Sequence, residues 1–381
     1  MSAVVDEQLF DGGPPLGSLK ALGIVQPTKR HVGPRAVGTV LVGWVPLALL
    51  TIVHELVNPD GTARSFFADA AVHARFLVAL PLFVLAEADA IYRFGRIACH
   101  FLLAGFIREK DRERYAAAVN STRRLLDSPV AALATLLLAY VVVSLLITNV
   151  RQFDVPAWHL RGDGRTLGLS PAGLWHWMIS VPVLLVLFFG WLWRLLLWWR
   201  FLALMARLDL RLVPAHPDGA AGLKFVSSSI RGYRLLAFAL GTIVAGTEIN
   251  RTLRTGAQLF AFRNAAIVVV ILILVLAVGP LAVFLGKLRA AKLRGDLEYG
   301  ALAHDVGIQF ERRWLNRPSD PNALETQEFS AMTDLYQVVA NVYSVKSLPF
   351  AWRDVTNIVV AALLPFVPVA LMAVPLKDIV A

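Results

Sequence analysis

Long apolar segments alternate with short polar ones along most of the chain, and this alternation predicts a helical membrane protein. A helix of about 20 residues crosses a hydrocarbon layer roughly 30 Å thick. Apolar segments of about that length lie at 36–57, 70–91, 129–148, 176–198, 233–249, 264–286 and 357–374. We therefore predict an all-α integral membrane protein with about seven transmembrane helices.

The polar stretches between these segments predict four parts of the chain. Residues 1–35 are rich in Gly and Pro and end in a basic cluster, which predicts a flexible basic cytosolic tail. Six spans follow in 36–286. Residues 287–353 repeat apolar positions at helical spacing on both sides of a Pro-containing break, which predicts a cytosolic amphipathic helical hairpin. The last span and the C-terminus occupy 354–381.

Two further features refine the predicted spans. Tryptophans stand near both ends of the fourth span, and Trp concentrates at the two surfaces of a bilayer. We interpret them as two interfacial belts, formed by Trp175, Trp177, Trp191, Trp193, Trp198 and Trp199. The apolar stretch 97–107 has only 11 residues, too few to cross, so we expect it to lie along the interface.

Composition and charge agree with a membrane protein and predict its orientation. The chain of 381 residues is 57% hydrophobic and only 17% charged. Its Lys and Arg residues divide 26 against 8 between the two predicted sides. Because cytosolic loops carry the excess of positive charge, we place loops 92–128 and 200–232 and the N-terminus in the cytosol, with the C-terminus outside.

The net charge of +10 also predicts partners. Basic loops beside a membrane attract anionic lipid head groups, and we expect that contact here. Binding of nucleic acid is not expected, because no basic run carries the interleaved aromatic residues that stack bases. A homo-oligomer and a cytosolic protein partner that docks on 287–353 are further hypotheses.

A screen for enzyme motifs gives no catalytic, cofactor or metal residue. The single cysteine, Cys99, excludes an intramolecular disulfide and a metal site built from several cysteines. His54-Glu55 begins like a zinc-protease motif, but Asn58 stands where the second His must bind the metal. The chain has no P-loop. We predict no cofactor, and an enzyme acting on lipid is the third of our functional hypotheses.

Ionisable side chains within the predicted spans are costly in lipid and are therefore candidate functional residues. Glu87 and Asp89 could form a cation or proton site, or Asp89 could simply pair with Arg93 four residues later. Arg194 could bind an anion or lie over a neighbouring Trp, but we favour a side chain that extends to the head groups. Glu248 is interpreted as part of a solvated helix end.

The loop after the fourth span is the other candidate site. Its residues His216, Asp218, Gly219 and Gly222 combine a turn sequence with two side chains that can bind a divalent cation. Two ligands do not make a metal site, so we favour a rigid corner between two spans.

Part of this loop resembles a known family. Several short stretches are similar to a group of uncharacterised bacterial polytopic membrane proteins. They are 199–202, 207–212, Pro214 and His216-Pro-Asp218-x-Ala220-x-Gly222-Leu223. Members commonly have a glycine where this chain has Ala221. The C-terminal stretch 364–376 is also similar. The resemblance implies a bacterial inner-membrane location and no established activity.

Two functions fit the sequence best. The first is a channel or transporter for a small ion or polar solute, because ionisable residues occur in the spans and Pro interrupts several of them. The second is a membrane-anchored scaffold or signalling subunit that docks a partner through its cytosolic helices.

Overall fold

The computed structural model describes residues 9–21, 23, 32–148, 156–161, 168–255, 261–315 and 327–373. These residues are almost entirely helical. The exception is one short antiparallel pair, formed by β1 (Leu160–Arg161) and β2 (Gly168–Leu169). Three sequence predictions lie outside the described residues. They are a loop centred on Gly162–Gly164, the Pro-containing break at 317–321 and a helix start at 322–325, where Glu follows Asn by three residues.

The helices follow one another along the chain with short connections. Their bounds are α1 Leu16–Ala21, α2 Val32–Gly43, α3 Val45–Val57, α4 Thr62–Phe67, α5 Ala70–His73, α6 Leu80–Leu103, α7 Arg112–Leu126, α8 Pro129–Thr148, α9 Pro171–Trp175, α10 Val181–Ala206, α11 Ser228–Arg231, α12 Arg234–Thr255, α13 Ala261–Val278, α14 Leu285–Trp314, α15 Gln327–Tyr343, α16 Trp352–Leu363 and α17 Val367–Ala373. Short π and 3₁₀ segments join several neighbours into longer rods. The π segments are Ala74–Ala79 and His176–Ser180, and the 3₁₀ segments in the rods are Gly279–Phe284 and Leu364–Phe366.

Within the described residues, six of these rods are long and apolar enough to cross a membrane. They are Val32–Val57, Ala70–Leu103, Pro129–Thr148, Pro171–Ala206, Phe262–Trp314 and Trp352–Met372. Each contains all or nearly all of one predicted span, so the multi-pass helical membrane fold is confirmed. The predicted segment 233–249 also forms a helix, α12, but α12 is not among the six. The count of seven crossings therefore stays a prediction.

Helix α12 lies inside the bundle because small residues let its neighbours come close. Ala237 and Ala245 are buried. A side chain at Gly241 would collide with the backbone carbonyl of Ala362 in α16. Glycine and alanine at four-residue spacing allow such close approach of helix backbones in lipid. Ala237, Gly241 and Ala245 therefore form a stripe along which α12 packs closely against its neighbours.

The bundle has two recognisable ends. The end that carries the connection 104–111, the loop 207–227 and α14 with α15 is called the hairpin end. Helices α14 and α15 pack against each other there: the Gly295 backbone faces Val342, and Gly300 faces the Tyr343 hydroxyl. The opposite end, around Trp158, is called the Trp158 end. Which end faces the cytosol stays a prediction.

The predicted boundary between the second span and the stretch 97–107 is wrong, because α6 continues beyond the apolar pattern. Residues 97–103 do not lie as a separate interfacial stretch, since α6 continues through them to Leu103. The rod from Ala70 to Leu103 has 34 residues, which is about 50 Å at 1.5 Å per residue and longer than the hydrocarbon layer. Its last turns therefore form part of the hairpin end.

The tryptophans of the fourth span do not form two simple belts. Trp191 and Trp198 are almost fully buried, and Trp198 stacks on Phe94 with ring centroids 4.4 Å apart. Trp199, by contrast, is 42% exposed. The spacing of these residues matched the two bilayer surfaces. Because α10 is central in the bundle, however, some of its tryptophan side chains pack in the core.

The described part of the N-terminal tail is packed rather than free. Leu9, Phe10 and Leu16 are buried. The Phe10 ring meets those of Phe94 and Trp198 edge to face, each with centroids 5.5 Å apart. Edge-to-face pairs of this kind are favourable beyond their buried area. The expected flexible tail is therefore wrong for residues 9–16, which close the bundle between α6 and α10.

Candidate functional site

One carboxylate deep in the bundle is held by two guanidinium groups. Glu87, near the middle of the Ala70–Leu103 rod, is 3% exposed. Its Oε1 accepts a hydrogen bond from Arg194 Nη2 at 2.7 Å, and its Oε2 accepts one from Arg35 Nη2 at 2.5 Å. Charged hydrogen bonds at these distances are among the strongest in proteins. We call Arg35, Glu87 and Arg194 the charge cluster.

Arg194 does not extend to the head groups as the sequence suggested. It is 1% exposed, and its Nη2 also donates to the Gly12 carbonyl oxygen at 2.7 Å. Its guanidinium lies over the Trp191 ring, 5.8 Å from the centroid, which is within the range of a cation–π contact. An arginine inside a bundle needs such partners, because leaving a charge unpaired in a low-dielectric interior is costly.

The N-terminal segment reaches the charge cluster because two glycines leave room for it. A side chain at Gly190 of α10 would collide with the Pro14 carbonyl group, and one at Gly12 would collide with the Asp127 carboxylate. The backbone of residues 12–15 therefore lies directly against α10. This close approach brings the Gly12 carbonyl within hydrogen-bond distance of Arg194.

The charge cluster is not neutral. Two guanidinium cations face one carboxylate, which leaves a charge of about +1 in the buried interior of the bundle. Among the described residues, the buried Nε atoms of Arg35 and Arg194 have no hydrogen-bond partner. A buried donor without an acceptor costs about 1–3 kcal/mol. An anion bound beside Arg35 would offset the surplus charge.

Arg35 also lines a large cavity in the described part of the molecule. This cavity has a volume of about 880 Å³ and lies between α2, α8 and α10. Arg35 is the one charged residue among the described residues that line it. Its walls are mostly apolar, formed by residues that include Gly38, Val42, Leu136, Tyr140, Ile179, Val183 and Val186. A concave apolar site with one well-placed polar group is the usual form of a ligand pocket.

Arg35 was missed as a site residue, because in the sequence it belongs to a basic segment at the start of an apolar helix. Such residues usually lie at the membrane surface. Its partner Glu87 is 52 positions away along the chain, and no periodicity links the two. Glu87 and Arg194, which were predicted as candidates, are brought together by the fold.

The other predicted candidates stay outside the charge cluster. Asp89 Oδ2 accepts from Arg93 Nε at 2.8 Å, so the predicted pair on one helix is confirmed. Both side chains are partly exposed, and such a pair contributes little stability. Glu248 is 9% exposed and lies 3.9 Å from Arg251 three residues later. The expected solvated helix end is therefore wrong for Glu248, which is buried.

The loop with His216 and Asp218 is built as a rigid corner. Asp218 Oδ1 accepts from the backbone N–H groups of Ala220 and Gly222, and Oδ2 accepts from that of Lys224. Burial alone would raise the pKa of Asp218, but these three donors and the nearby His216 hold that pKa below its ordinary value. Backbone N–H groups of the same loop occupy both oxygens of the carboxylate. This supports the interpretation that the loop is a structural corner and not a cation site.

Left-handed backbone explains the glycines of this loop. Gly219 and Gly222 have φ of +64° and +97°, and Ala221 has φ of +52°. L-residues rarely adopt this region, and glycine does so freely. The glycine that the resembling family commonly has at the position of Ala221 would therefore suit the backbone better. A side chain at Gly222 would also collide with the Phe106 ring.

The same loop ties together the hairpin end. Arg211 N donates to the Phe106 carbonyl oxygen at 2.9 Å, and Asp209 N donates to Asp111 Oδ2 at 3.0 Å. The Gly219 carbonyl oxygen accepts from Lys346 N at 2.9 Å. These backbone contacts join the connection after α6, the loop after α10 and the end of α15.

A second buried polar cluster, which the sequence did not indicate, lies at the Trp158 end. Asp69 Oδ1 accepts from Asn250 Nδ2 at 2.6 Å, and its Oδ2 accepts from Trp158 Nε1 at 3.0 Å. Asn250 Oδ1 in turn accepts from Ala70 N at 2.8 Å. Each of these polar groups has its partner, so we interpret the cluster as a structural joint between α5, α12 and the segment around Trp158.

Within the described residues, no group of three or more His, Cys, Asp or Glu side chains could hold a metal ion. The charge cluster supplies one cation, Arg35, at the wall of the cavity, which suits electrostatic binding of an anion. The side chains named above do not form the pairing of nucleophile and base that covalent catalysis needs.

The charge cluster should contribute far more stability than the pair on the α6 surface. Replacement of Glu87 by Gln leaves two buried guanidinium groups without their carboxylate. Leaving a buried charge without its partner costs about 3–5 kcal/mol, whereas an exposed pair contributes less than about 1 kcal/mol. Thermal unfolding in detergent should therefore show a large loss for Glu87→Gln and a small one for Asp89→Asn. Equal losses would contradict the assignment.

Asp218 should stabilise the corner in a manner that depends on pH. Because its folded pKa is below the ordinary value of 3.8, its contribution is present above pH 3.8 and is lost as pH falls through the folded pKa. We expect Asp218→Asn to lower stability at pH 7 by about 1–2 kcal/mol. Unfolding curves at decreasing pH should show this difference narrowing below about pH 3.8. The exposed Asp305→Asn is the control, and a pH-independent difference would refute the prediction.

Relationships to known proteins were sought at three levels. No protein-family model, no curated protein and no solved structure matches this chain. The resemblance to uncharacterised bacterial membrane proteins therefore stays a prediction. What the chain does must be inferred from the geometry of its own six membrane-spanning candidates and the charge cluster that they bury.

Proposed function

We propose that this multi-pass membrane protein is a transporter that binds an anionic ligand at Arg35. The observation that carries the proposal is the excess positive charge of the cluster beside an open cavity. Ionisable groups at membrane depth are rare and commonly mark a ligand or ion pathway. Here the surplus cation lines the cavity, while the carboxylate is covered.

The charges favour an anion over the cation or proton considered for Glu87. Both Glu87 oxygens accept from guanidinium groups, so neither is available to bind a cation. Arg35, in contrast, uses Nη2 toward Glu87 while its Nε finds no acceptor among the described residues. Arginine is well suited to this role because its planar fork matches carboxylate and phosphate groups.

Anion binding should depend on Arg35 and not on total charge. Purified protein is screened by thermal shift against inorganic phosphate, chloride, acetate, decanoate and dodecyl phosphate. At least one anion should stabilise the wild type and fail to stabilise Arg35→Gln, since that variant lacks the cation that lines the cavity. Proteoliposome uptake of that anion then tests transport.

The control is Arg96→Gln, which removes the same charge from an exposed position on α6. It should respond to anions like the wild type. If no anion distinguishes Arg35→Gln from Arg96→Gln, the proposed function is wrong. If binding is seen but no uptake accompanies it, the protein is an anion-binding protein and not a transporter.

We also propose that α12 is a seventh crossing, which would keep the termini on opposite sides. Its start is level with the middle of α6, because a Cβ atom added at Gly232 would lie 3.5 Å from the Ala90 Cα atom. Its far part is level with the start of α5, because Asn250 bonds to Ala70 N. Helix α12 therefore follows α5–α6 over most of the length that a span requires. The membrane in this proposal is a bacterial inner membrane, with the N-terminus of the protein in the cytosol.

Topology can be tested with single cysteines in a Cys99→Ser background. The positive-charge bias predicts that a cysteine in place of Pro217, an exposed residue of the corner, is labelled by an impermeant maleimide from the cytosolic side. A cysteine at Asn58 should react from the opposite side. A cysteine at Arg313 on α14 should react on the same side as the one at position 217. Labelling of positions 217 and 313 from opposite sides would refute the crossing by α12.

A second candidate function is a scaffold that docks a partner on α14 and α15. The observation in its favour is a pair of exposed leucines one turn apart, Leu293 and Leu297, which are 63% and 67% exposed. Helix α14 extends the rod from Phe262 to Trp314, about 80 Å at 1.5 Å per residue. This surface does not involve the charge cluster, so loss of anion binding in Arg35→Gln would leave it intact.

A further inference from the structure

The cavity beside Arg35 has a polar end and an apolar end. Arg35 is the fourth residue of the Val32–Val57 rod and therefore lies in its first turn. Gly38, Thr39 and Val42 continue the same face of α2, one and two turns further into the rod. The distance from Arg35 to Val42 along the helix is about 10 Å. A molecule that fits this gradient has an anionic group at one end and an apolar body.

Among the described residues, part of the rim of the cavity faces sideways out of the bundle. Its rim includes Val42, Leu136, Tyr140 and Met178, which are 43%, 45%, 44% and 39% exposed. All four belong to membrane-spanning rods, so in a bilayer the opening faces acyl chains. A ligand can therefore enter from the lipid phase without crossing a polar vestibule.

The walls of the opening are fixed in place by hydrogen bonds. The Tyr140 hydroxyl group donates to the Met178 carbonyl oxygen at 3.1 Å, which joins α8 to the π segment before α10. Ser180 Oγ donates to the Gly43 carbonyl oxygen at 2.8 Å, which joins that segment to α2. The cavity is thus pre-formed, and preorganised sites lose less entropy on binding.

We infer that this cavity binds an anionic phospholipid from the surrounding bilayer, with the phosphate at Arg35 and one acyl chain along α2 and α10. The inference rests on the proposed function, because it names the class of anion that Arg35 binds. The charge selects an anionic head group over a zwitterionic one. The apolar walls and lateral opening select a lipid over a water-soluble anion.

Native mass spectrometry from nanodiscs tests this inference. Nanodiscs contain equal amounts of phosphatidylglycerol and phosphatidylcholine. We expect the wild type to retain phosphatidylglycerol in preference to phosphatidylcholine. Arg35→Gln should lower retention of phosphatidylglycerol by about tenfold or more, the effect of losing one charged hydrogen bond, and should remove its preference over phosphatidylcholine.

Filling the cavity gives an independent variant. A side chain added at Gly38 meets no atom within 4 Å, so Gly38→Trp can occupy the cavity without displacing the helix. It should abolish retention of phosphatidylglycerol, as should Val186→Trp on the facing wall. Val37→Trp is the matched control, because Val37 is the preceding residue of α2, is 58% exposed and does not line the cavity. All variants are first compared by thermal unfolding.

The outcomes separate this inference from the proposed function. Equal retention of phosphatidylglycerol by the wild type, Gly38→Trp and Val37→Trp would overturn the lipid site. Loss in Gly38→Trp but not in Arg35→Gln would overturn the selection for an anionic head group. Dimers that disappear in Gly38→Trp would show that a second copy of the chain fills the opening, which also overturns it. If inorganic phosphate stabilises the wild type through Arg35 and no lipid is retained, the proposed function stands and the lipid inference fails.

Discussion

The arrangement of the first 200 residues depends on the ion pairs that the Glu87 carboxylate forms. It joins α6 to α2 through Arg35 and to α10 through Arg194, and Arg194 carries the connection on to the Gly12 carbonyl group. Four segments that are far apart in the chain thus meet at one buried ion cluster. Apolar packing in lipid is weakly directional, because lipid tails are as apolar as leucine. Charged hydrogen bonds fix the relative positions of these helices.

Burying ionised groups costs free energy. The numbers of cations and anions in the cluster therefore indicate whether it has a role besides holding helices together. Replacing a buried ion pair by apolar groups of the same size is often neutral or stabilising. A structural role alone would be served by equal numbers of each sign. The extra guanidinium lies where the bundle is open, and under the proposed function an anionic ligand completes the set.

The general fold could be predicted from the sequence because helix length and apolarity are local properties. Six of the predicted segments lie in membrane-spanning rods, and the ion pair of Asp89 with Arg93 followed from helical spacing alone. The candidate loop was also understood correctly as a corner, since Asp218 bonds within six residues of itself. Each of these features is encoded by neighbours in the chain.

The cluster could be predicted only in part, because its geometry depends on contacts between distant segments. Glu87 and Arg194 were recognised as unusual, but they are 107 positions apart and nothing local pairs them. Arg35 looked like an ordinary flanking cation. The burial of Phe10 could not be foreseen either, because its slot is formed by residues of α6 and α10.

That slot has a consequence for the order in which the protein is made. Phe10 leaves the ribosome early, yet the rings that receive it belong to Phe94, Trp198 and Phe201, and the last of these is translated 191 residues later. The N-terminal segment must therefore wait outside the bundle until α10 has been inserted. This part of the fold is therefore completed by a docking step, in which a segment made earlier is placed only after α10.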